Sequence, residues 1–405
     1  MDGGMRDADW AALRARFVLP EGVIYLDGNS LGPMPRAVPA AMERVLAEWS
    51  GLLIRGWNEG AGGAGWMGWP ARLGDRIGRL IGAPEGSTVV GDTLSIKVFQ
   101  ALDAALKMRP DRRVILSDEG NFPTDLYMAE GLIEALGRGH ELRLVAPEDV
   151  ADAIDGDVAV VMLTAVDYRT GRLHDMADLT ARAHAAGALA IWDLAHSAGA
   201  HEVDVAAGGA DFAVGCTYKY LNAGPGGPAF IYVHPAIAGE VRPALSGWLG
   251  HAAPFAFDPS YRPGSGVERM RVGTPPVLQL AALEAALDAW EGVDMATIRA
   301  RSLALSERFA AGVAARCPEL APALPPGVPR GSQVSLRHPD GYAIVQALIA
   351  RGVVGDFRAP DILRFGFTPL FLGEAEVDGA VDHLAAVMAS GEWREPRFAA
   401  RRAVT

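Results

Sequence analysis

The chain has 405 residues, of which 50% are hydrophobic and 21% are charged. This composition is typical of a globular protein of two or three folding units and excludes a wholly disordered chain. The net charge of −12 does not favour nucleic acid or an anionic membrane as a partner, although an acidic protein can still carry a local basic site for an anionic ligand. No apolar run approaches the roughly 20 residues that span a bilayer, and the N-terminal sequence lacks the order of a secretory signal.

Cysteine and histidine are too sparse to suggest a disulfide framework or a metal site. The two cysteines, Cys216 and Cys317, form no CxxC pair, and none of the nine histidines belongs to an HExxH motif. Both cysteines are typical of small buried apolar residues, and a reducing cytoplasm is the expected compartment. We therefore expect a cytoplasmic protein without a metal ion.

The middle of the chain alternates between strand and helix patterns. Consecutive apolar residues predict buried strands over residues 87–90, 114–116, 142–145, 157–163, 188–192, 211–215 and 228–233. Apolar residues at a spacing of about four, together with turn and capping signals, predict helices over residues 93–108, 124–137 and 176–186. Strand and helix repeated in this way predict an α/β fold with a mostly parallel sheet.

The C-terminal part has a different pattern, which predicts a smaller α+β unit. Residues 279–315 form one helical region, and the five prolines of residues 318–329 indicate a connection without structure of its own. The strands and helices predicted after it cover residues 333–337, 342–351, 353–356, 362–365 and 374–389, and the polar, basic tail from Ser390 is expected to fray. We divide the chain into an N-terminal segment packing with the small domain, a large domain and a small C-terminal domain, at residues 1–50, 51–278 and 279–405.

Ligands of open α/β sheets bind beyond the carboxyl ends of the strands, so the residues just after each strand are the candidates for ligand contact. Leu94 and Ser95 begin a helix, where free backbone N–H groups suit a phosphate, although an ordinary helix cap is the favoured explanation when these residues are taken alone. Phe122 could stack on a flat ring, with Asp125 nearby, or the two could belong to a capped turn.

Two further strand ends carry an acid and a lysine. Asp193 comes directly after the strand at residues 188–192, where a buried carboxylate needs a partner unless it caps a helix. Lys219 lies between Tyr218 and Tyr220, ahead of a glycine-rich stretch that allows close backbone approach. A strand aspartate with such a lysine about 25 residues later is the pattern of a pyridoxal 5′-phosphate site, in which the lysine forms a Schiff base and the aspartate pairs with the ring nitrogen.

Seven motifs carry a resemblance to a known family over nearly the whole chain. They are YLDGNSLG at 25–32, NFPTD at 121–125, WDLAHSAG at 192–199, CTYKYLN at 216–222, SGWLGH at 246–251, RVGTPP at 271–276 and GDFRAPDILRFG at 355–366. With them, the chain resembles the kynureninases, fold-type I pyridoxal phosphate enzymes. The resemblance implies a large domain with a seven-stranded, mostly parallel sheet, a homodimer with shared active sites, and hydrolysis of L-kynurenine to anthranilate and L-alanine in tryptophan degradation. It leaves open 3-hydroxykynurenine as a further substrate, and a catabolic or an NAD-supplying pathway.

The resemblance also implies the role of individual residues. The cofactor contacts would be Leu94, Ser95, Phe122, Asp125, Asp193, His196, Tyr218, Lys219, Trp248 and Thr274. Among these, Asp125 would support the phenolic side of the cofactor ring, and Trp248 and Thr274 would come from the neighbouring subunit.

The substrate would meet a different set of residues, namely Arg364, Asn29, Ser30 and His251. Arg364 would clamp the α-carboxylate with its guanidinium fork. Lys219 would move the α-proton, and Tyr218 would serve either as general acid or as a phosphate ligand. His251 would touch the substrate ring or pack beside Trp248.

Three positions depart from the family pattern. The phosphate loop, commonly TSVN, reads LSIK and so introduces Lys97, and the second tryptophan of the family's GWWGH is Leu249. Residues 60–65, GAGGAG, lengthen a loop near the substrate, so that Trp57, Trp66 and Trp69 could line an aryl pocket or simply pack.

Other functions fit the sequence less well. A cysteine desulfurase or selenocysteine lyase needs a cysteine on a mobile loop, for which Cys317 is the candidate, and its lysine usually follows a histidine rather than Tyr218. A cofactor-bound regulator would need a basic DNA-binding unit that the sequence lacks. An inactive relative would not need Lys219, Asp193 and Arg364 together.

Overall fold

A computed structural model describes residues 6–401, so the N-terminal sequence read for a signal and the ends of the predicted segments 1–50 and 279–405 lie partly outside it. The strands of this range, in chain order, are β1 (Ile24–Tyr25), β2 (Thr88–Val90), β3 (Val114–Asp118), β4 (Glu141–Val145), β5 (Val158–Thr164), β6 (Leu189–Asp193), β7 (Phe212–Gly215), β8 (Phe230–Val233), β9 (Ala321–Pro322), β10 (Gln333–Arg337), β11 (Val353–Val354), β12 (Asp356–Arg358) and β13 (Ile362–Gly366).

The helices lie between these strands and at both ends of the described range. They are α1 (Asp7–Arg14), α2 (Val38–Leu52), α3 (Gly56–Glu59), α4 (Trp69–Leu80), α5 (Leu94–Met108), α6 (Pro123–Leu136), α7 (Val150–Ala153), α8 (Met176–Ala185), α9 (Val277–Asp288), α10 (Met295–Arg316), α11 (Gly341–Ala350), α12 (Glu374–Ser390) and α13 (Pro396–Ala399). Single turns of 3-10 helix cover Leu53–Arg55, Trp248–Gly250, Pro254–Ala256, Gly266–Met270 and Glu392–Arg394.

The large sheet has seven strands in the order β2-β8-β7-β6-β5-β3-β4. Only β8 runs antiparallel to its neighbours, so the expectation of a mostly parallel seven-stranded sheet is confirmed. All seven residues of β5 are buried, as expected of a central parallel strand covered on both faces. Side chains of β5 and β6 divide between two apolar clusters, one of which also contains residues of α5 and α6, and the other residues of α4, α8 and α9.

The small sheet is antiparallel and has the order β12-β13-β10-β9. The N-terminal segment joins it through two main-chain hydrogen bonds: Leu26 N donates to the Val354 carbonyl at 2.7 Å, and Gly366 N donates to the Leu26 carbonyl at 2.7 Å. β1 pairs in parallel with β11 just before this point. The segment around Leu26 is therefore held between β11 and the end of β13.

Three details of the C-terminal prediction were wrong. The helical region at 279–315 is two helices, because Gly292 takes a left-handed conformation (φ 72°) and Asp294 caps α10 by accepting a hydrogen bond from Thr297 N. The proline-rich connection contains the two-residue strand β9. The strand at 353–356 divides at Gly355, since β11 pairs with β1 while β12 pairs with β13.

The tail was also predicted wrongly over its described part. Instead of fraying, the chain after Ser390 forms a 3-10 turn and α13. Trp393 and Phe398 are buried in the main apolar cluster, which gives this segment a reason to stay ordered. Within residues 6–401, none of the helices is both long enough and apolar enough to cross a membrane.

Gly32 is the point at which the N-terminal segment touches the backbone of the Lys219 segment. Gly32 N donates to the Tyr218 carbonyl at 2.8 Å, and a Cβ atom at Gly32 would lie 2.3 Å from both the Lys219 carbonyl oxygen and Oδ1 of Asn222. Real Cβ atoms do not approach backbone so closely, so an added methyl group must displace the Lys219 segment.

We expect Gly32→Ala to lower the free energy of unfolding by about 1–3 kcal/mol, the usual cost of overpacking. Urea denaturation measures this change. Gly51→Ala, in the exposed end of α2 with open space around its Cβ, is the matched control and should be neutral or stabilising by up to about 1 kcal/mol. Equal effects of the two substitutions would contradict the role of this contact.

Candidate active site

Lys219 lies just beyond the end of β7, and the residues around its amine come from neighbouring strand ends. Nζ of Lys219 lies 3.0 Å from Nε2 of His196, which comes after β6. The same atom lies 5.7 Å from the ring centroid of Phe122, at the start of α6, and 5.9 Å from that of Tyr218. The structure thus brings together four residues that the sequence predicted at the cofactor.

His196 is a neutral acceptor of the Lys219 hydrogen bond. Burial, then the charges of Lys219, Arg364 and Arg358, hold the pKa of His196 well below its ordinary value. Because an ammonium group only donates hydrogen bonds, Nε2 accepts, and the imidazole proton lies on Nδ1, which has no hydrogen-bond partner among residues 6–401.

Asp193 and Asp125 form a pair of buried acids close to Lys219. Burial raises the pKa of Asp193 to about 6, against the opposing charge of Lys219, and Asp193 Oδ1 accepts a hydrogen bond from Ala195 N at 2.8 Å. Burial, then the charge of Asp193, raises the pKa of Asp125 well above its ordinary value. The pair is therefore suited to hold one proton, with Asp125 as the protonated member. Asp125 thus interacts with Asp193, the expected partner of the ring nitrogen, and its own role at the phenolic side of the ring stays a prediction.

Leu94 and Ser95 form the first turn of α5, and their backbone N–H groups have no side-chain cap. Thr93, the N-cap residue, makes no capping hydrogen bond. The turn before it contains Asp92 in a left-handed conformation (φ 56°). An uncapped helix start at the carboxyl end of a strand is a ready site for a phosphate group.

Lys97, which departs from the family pattern, lies beneath this helix start. Its ammonium group is buried and donates hydrogen bonds to Oδ2 of Asp92 at 2.8 Å, to Oε1 of Gln100 at 3.0 Å and to the Met270 carbonyl at 2.9 Å. Burial lowers the pKa of Lys97, while Asp92 opposes the shift. All three ammonium protons of Lys97 donate hydrogen bonds. Lys97 therefore links the turn at Asp92, which precedes the expected phosphate site, to the segment that leads to Thr274, and its charge is not free to bind a ligand.

Arg364 lies on β13, and its guanidinium group donates three hydrogen bonds. Its Nε donates to Oδ1 of Asp356 at 2.7 Å, one Nη donates to Oδ2 of Asp356, and the other donates to the Tyr168 carbonyl at 2.6 Å. These bonds use three of the five guanidinium N–H groups and leave one on each terminal nitrogen. Two N–H groups are thus left to donate to a carboxylate.

Asn29 and Ser30, two further predicted substrate contacts, lie in different surroundings. The side chain of Asn29 is fully buried against Gly366, and its amide oxygen and nitrogen have no hydrogen-bond partners in the described chain. Ser30 lines a cavity of about 680 Å³ together with Phe122, Asp27 and Arg358.

Three predicted residues make no contact with Lys219 in the described chain. Trp248 is 40% exposed, its ring meets that of Phe255 edge-on, and its carbonyl accepts a hydrogen bond from His251 N at 3.3 Å, whereas Thr274 is exposed. Both ring nitrogens of His251 bond within its own loop, where Nδ1 accepts from Ala253 N at 2.9 Å and Nε2 donates to the Ser260 carbonyl at 3.3 Å.

The extended loop at residues 60–65 is ordered by one acid. Glu48 accepts hydrogen bonds from Ala61 N at 2.8 Å, Gly62 N at 3.3 Å and Trp66 Nε1 at 3.0 Å. Trp66 and Trp69 are buried, and Nε1 of Trp69 donates to Glu284 at 2.8 Å, so these two rings pack the protein interior.

Sequence reasoning missed Tyr168 and Asp27. The ring of Tyr168 meets that of Phe122 edge-on at 5.1 Å, and its carbonyl holds Arg364. Tyr168 lies just beyond the carboxyl end of β5, so the rule applied to the other strands would have found it. Asp27 precedes the GNSLG motif, and no local pattern indicates which residues it meets.

These residues fit pyridoxal 5′-phosphate. The site offers an amine, an uncapped helix start, a partly exposed aromatic face at Phe122, and buried polar atoms without partners, Nδ1 of His196 and Oδ2 of Asp125. Lys219 would bind the aldehyde, Asp193 the ring nitrogen, and Leu94 and Ser95 the phosphate. The fold and site together define the class of pyridoxal phosphate-dependent enzymes of fold type I.

Comparison with known proteins agrees with this class and narrows it. Residues 24–321 match the family model described as Aminotransferase class-V, and residues 298–384 match the Kynureninase C-terminal domain. A kynureninase of Pseudomonas fluorescens is 52% identical over 404 residues, covering 98% of this chain and 96% of its own. One from Burkholderia pseudomallei (strain K96243) is 50% identical, covering 99% and 97%. A solved cysteine desulfurase from Escherichia coli has a TM-score of 0.79 at 19% identity, covering 94% of this chain and 98% of its own.

The chain belongs to the kynureninase family, as these relatives show over nearly its full length. The resemblance drawn from the motifs is thereby confirmed, as is the expectation of pyridoxal 5′-phosphate as cofactor. The likeness to the desulfurase, at 19% identity, concerns the fold alone.

The Lys97 network gives a prediction about stability. Lys97→Met leaves the Asp92 carboxylate and the Met270 carbonyl without their donor, so we expect the free energy of unfolding to fall by about 3–5 kcal/mol. Denaturation in urea at a fixed excess of cofactor measures it. Adding Asp92→Asn removes the unpaired charge and should restore part of the loss. A single variant within about 1 kcal/mol of the wild type would show that the network contributes little.

Proposed function

We propose that the chain hydrolyses L-kynurenine to anthranilate and L-alanine by breaking the bond between the β- and γ-carbons. The observation that carries the proposal is the meeting of the Lys219 amine with two buried acids and a neutral histidine, close to an arginine that keeps two free N–H groups. The 52% identity to a kynureninase supports the choice of substrate. When bound, the cofactor supplies an aldehyde that captures an amine and a ring that accepts an electron pair released from carbon.

Each residue then has a task. Lys219 would hold the cofactor, and its Nζ would move the α-proton of the substrate. Asp193 would keep a proton on the ring nitrogen, and Asp125, holding its own proton, would limit the negative charge there. His196 stays uncharged and accepts a hydrogen bond from Nζ, which orients the amine without competing for its proton.

Arg364 and Tyr218 act on the substrate and the phosphate. The free N–H groups of Arg364 hold the α-carboxylate, which fixes the position of the reacting carbons. Burial and the neighbouring Cys216 thiol raise the pKa of the Tyr218 phenol, so its hydroxyl group stays protonated at neutral pH. A protonated phenol 5.9 Å, ring to amine, from Lys219 suits either a phosphate ligand or a proton donor to the β-carbon.

The desulfurase alternative requires an accessible cysteine, and the structure offers none in the described range. Cys317 lies at the end of α10, fully buried in the main apolar cluster. Cys216 is buried as well, and burial raises the pKa of its thiol, which opposes formation of a nucleophilic thiolate. A structural match to desulfurases at 19% identity does not outweigh this.

The active form is a homodimer in which each subunit completes the other's site. In support, Trp248, Phe255 and Phe257 are 40%, 65% and 78% exposed on one loop, an unusual exposure for large aromatic residues. Thr274 is also exposed, so it is accessible to a second subunit. We place the enzyme in the tryptophan-degradation pathway and in the cytoplasm, where its two free cysteines stay reduced.

Mixing the holoenzyme with L-kynurenine and monitoring anthranilate fluorescence tests the reaction. Lys219→Ala should reduce the rate by at least about 10³-fold, because it removes both the cofactor anchor and the base. Lys107→Ala is the matched control, since Lys107 is a partly exposed lysine on α5 that pairs with Asp103. Cofactor binding without anthranilate formation by the wild type would reject the substrate, and sulfide release from L-cysteine would favour the desulfurase.

The shared site is tested with hybrid dimers. A subunit with Lys219→Ala and one with Trp248→Ala and Thr274→Ala should each be inactive alone. After unfolding and refolding together, half of the dimers are hybrids with one intact site, so about a quarter of the wild-type activity should return. Mixtures that stay as inactive as the separate variants would show that these residues serve their own subunit.

A further inference from the structure

The carboxylate-binding arginine belongs to a cluster of four ionisable residues. Asp356 on β12 lies opposite Arg364 on β13 and bonds both Nε and one Nη of it. Oδ2 of Asp356 also lies 2.8 Å from a terminal nitrogen of Arg358. Asp356 is therefore shared by two guanidinium groups, both close enough to His196 to lower its pKa.

Asp27 is the fourth residue of the cluster, and the main-chain bonds of the preceding residue determine its position. The main-chain bonds of Leu26 to Val354 and from Gly366 fix the residue just before it between β11 and the end of β13. Oδ1 of Asp27 is out of contact with solvent and has no hydrogen-bond partner in the described chain. Asp27 also lines the cavity of about 680 Å³ that contains Ser30, Phe122 and Arg358.

A buried carboxylate oxygen that bears charge needs a donor, and no donor of the described chain reaches Oδ1 of Asp27. Both oxygens of Asp356, in contrast, meet guanidinium nitrogens of Arg364 or Arg358. Asp27 is therefore the acid of the two that holds a proton. The cluster then carries two positive charges and one negative charge, a net charge of +1 that one α-carboxylate neutralises.

We infer that Asp27 is a positioning residue for the substrate carboxylate, which acts by staying protonated and so leaving the Arg364–Arg358–Asp356 cluster with one uncompensated positive charge. The inference rests on the proposed function, since it concerns the same substrate. It adds a residue to which the motifs assign no role.

The surroundings of Asp27 predict the pH above which it ionises and no longer leaves the positive charge uncompensated. Burial, then the negative charge of Asp356, raise the pKa of Asp27 to about 8, and the charges of Arg364 and Arg358 oppose the rise. The tyrosines that face it, Tyr25 on its own segment and Tyr220, have pKa values raised by burial and stay neutral over this range. Because its pKa is raised, Asp27 is neutral below about pH 8 and ionises above it. Ionisation brings the net charge of the cluster to zero and places a negative charge beside the substrate carboxylate.

The test is the pH dependence of KM for L-kynurenine, measured on the holoenzyme between pH 7 and pH 9.5. The wild-type KM should rise on the order of tenfold through the loss of one favourable charge, beyond any change in kcat. Asp27→Asn, which is neutral at every pH, should lack this rise. Titration of the substrate amine is common to both proteins and cancels in the comparison.

Asp340→Asn is the matched control, because it makes the same charge change at an exposed residue of the small domain. It should show the wild-type profile. Parallel profiles for the wild type and Asp27→Asn would overturn the inference.

A second measurement needs no variant and no turnover. The probe is 4-oxo-4-phenylbutanoate, which keeps the carboxylate and ketone of the substrate but has no amine. Calorimetry at pH 8 in two buffers of different ionisation enthalpy should show the holoenzyme taking up roughly half a proton as the probe binds, because the bound carboxylate raises the pKa of Asp27 further. Binding without proton uptake would overturn the inference even if Asp27→Asn does not fold. Absence of anthranilate at every pH would instead reject the proposed function and leave the probe result to decide on Asp27.

Discussion

Two buried carboxyl groups, one at the end of β6 and one in the first turn of α6, and an amine beyond the end of β7 impose the main electrostatic constraint on this molecule. Asp193 and Asp125 are both buried, and the ionisation of either carboxyl group is unfavourable unless a cation lies nearby. Lys219 supplies that cation, and the neutral His196 lets its amine make a hydrogen bond without adding a second charge. The parallel pairing of β6 with β7 is what places the acid and the lysine at the same edge of the sheet.

A second set of buried charges lies around Arg364, in the C-terminal part of the chain. Arg364 could not remain buried as an unpaired cation, so Asp356, opposite it in the antiparallel register, binds it through two hydrogen bonds. Full neutralisation would leave nothing to attract a carboxylate. In the proposed substrate site, Arg358 restores a positive charge, and the N-terminal segment adds Asp27, an acid inferred to be neutral at ordinary pH. The N-terminal segment would then contribute to the site as well as pair with β11 and β13.

The sequence predicted the strand-end residues because their position depends on one local rule. Asp193, Phe122 and Lys219 each come after an apolar strand, and parallel strands end at the same edge. The break at Gly292 between α9 and α10 was not predicted, because alanine- and leucine-rich sequence on both sides continues the helical pattern. The pairing of Arg364 with Asp356 depends on the register of β12 against β13, and the approach of Asp27 depends on a strand from the other end of the chain. Neither register leaves a periodic signal in the sequence.

The choice of basic residues fits the chemistry of an aldehyde cofactor. The chain contains 37 lysines and arginines, of which three are lysine, at positions 97, 107 and 219. Only a primary amine forms a Schiff base, and an arginine guanidinium does not, because it stays protonated. Lys97 is buried with three hydrogen bonds, and Lys107 pairs with Asp103 away from the strand ends. The arginines can therefore carry the ion pairs and the carboxylate recognition, while Lys219 alone presents an amine to the aldehyde.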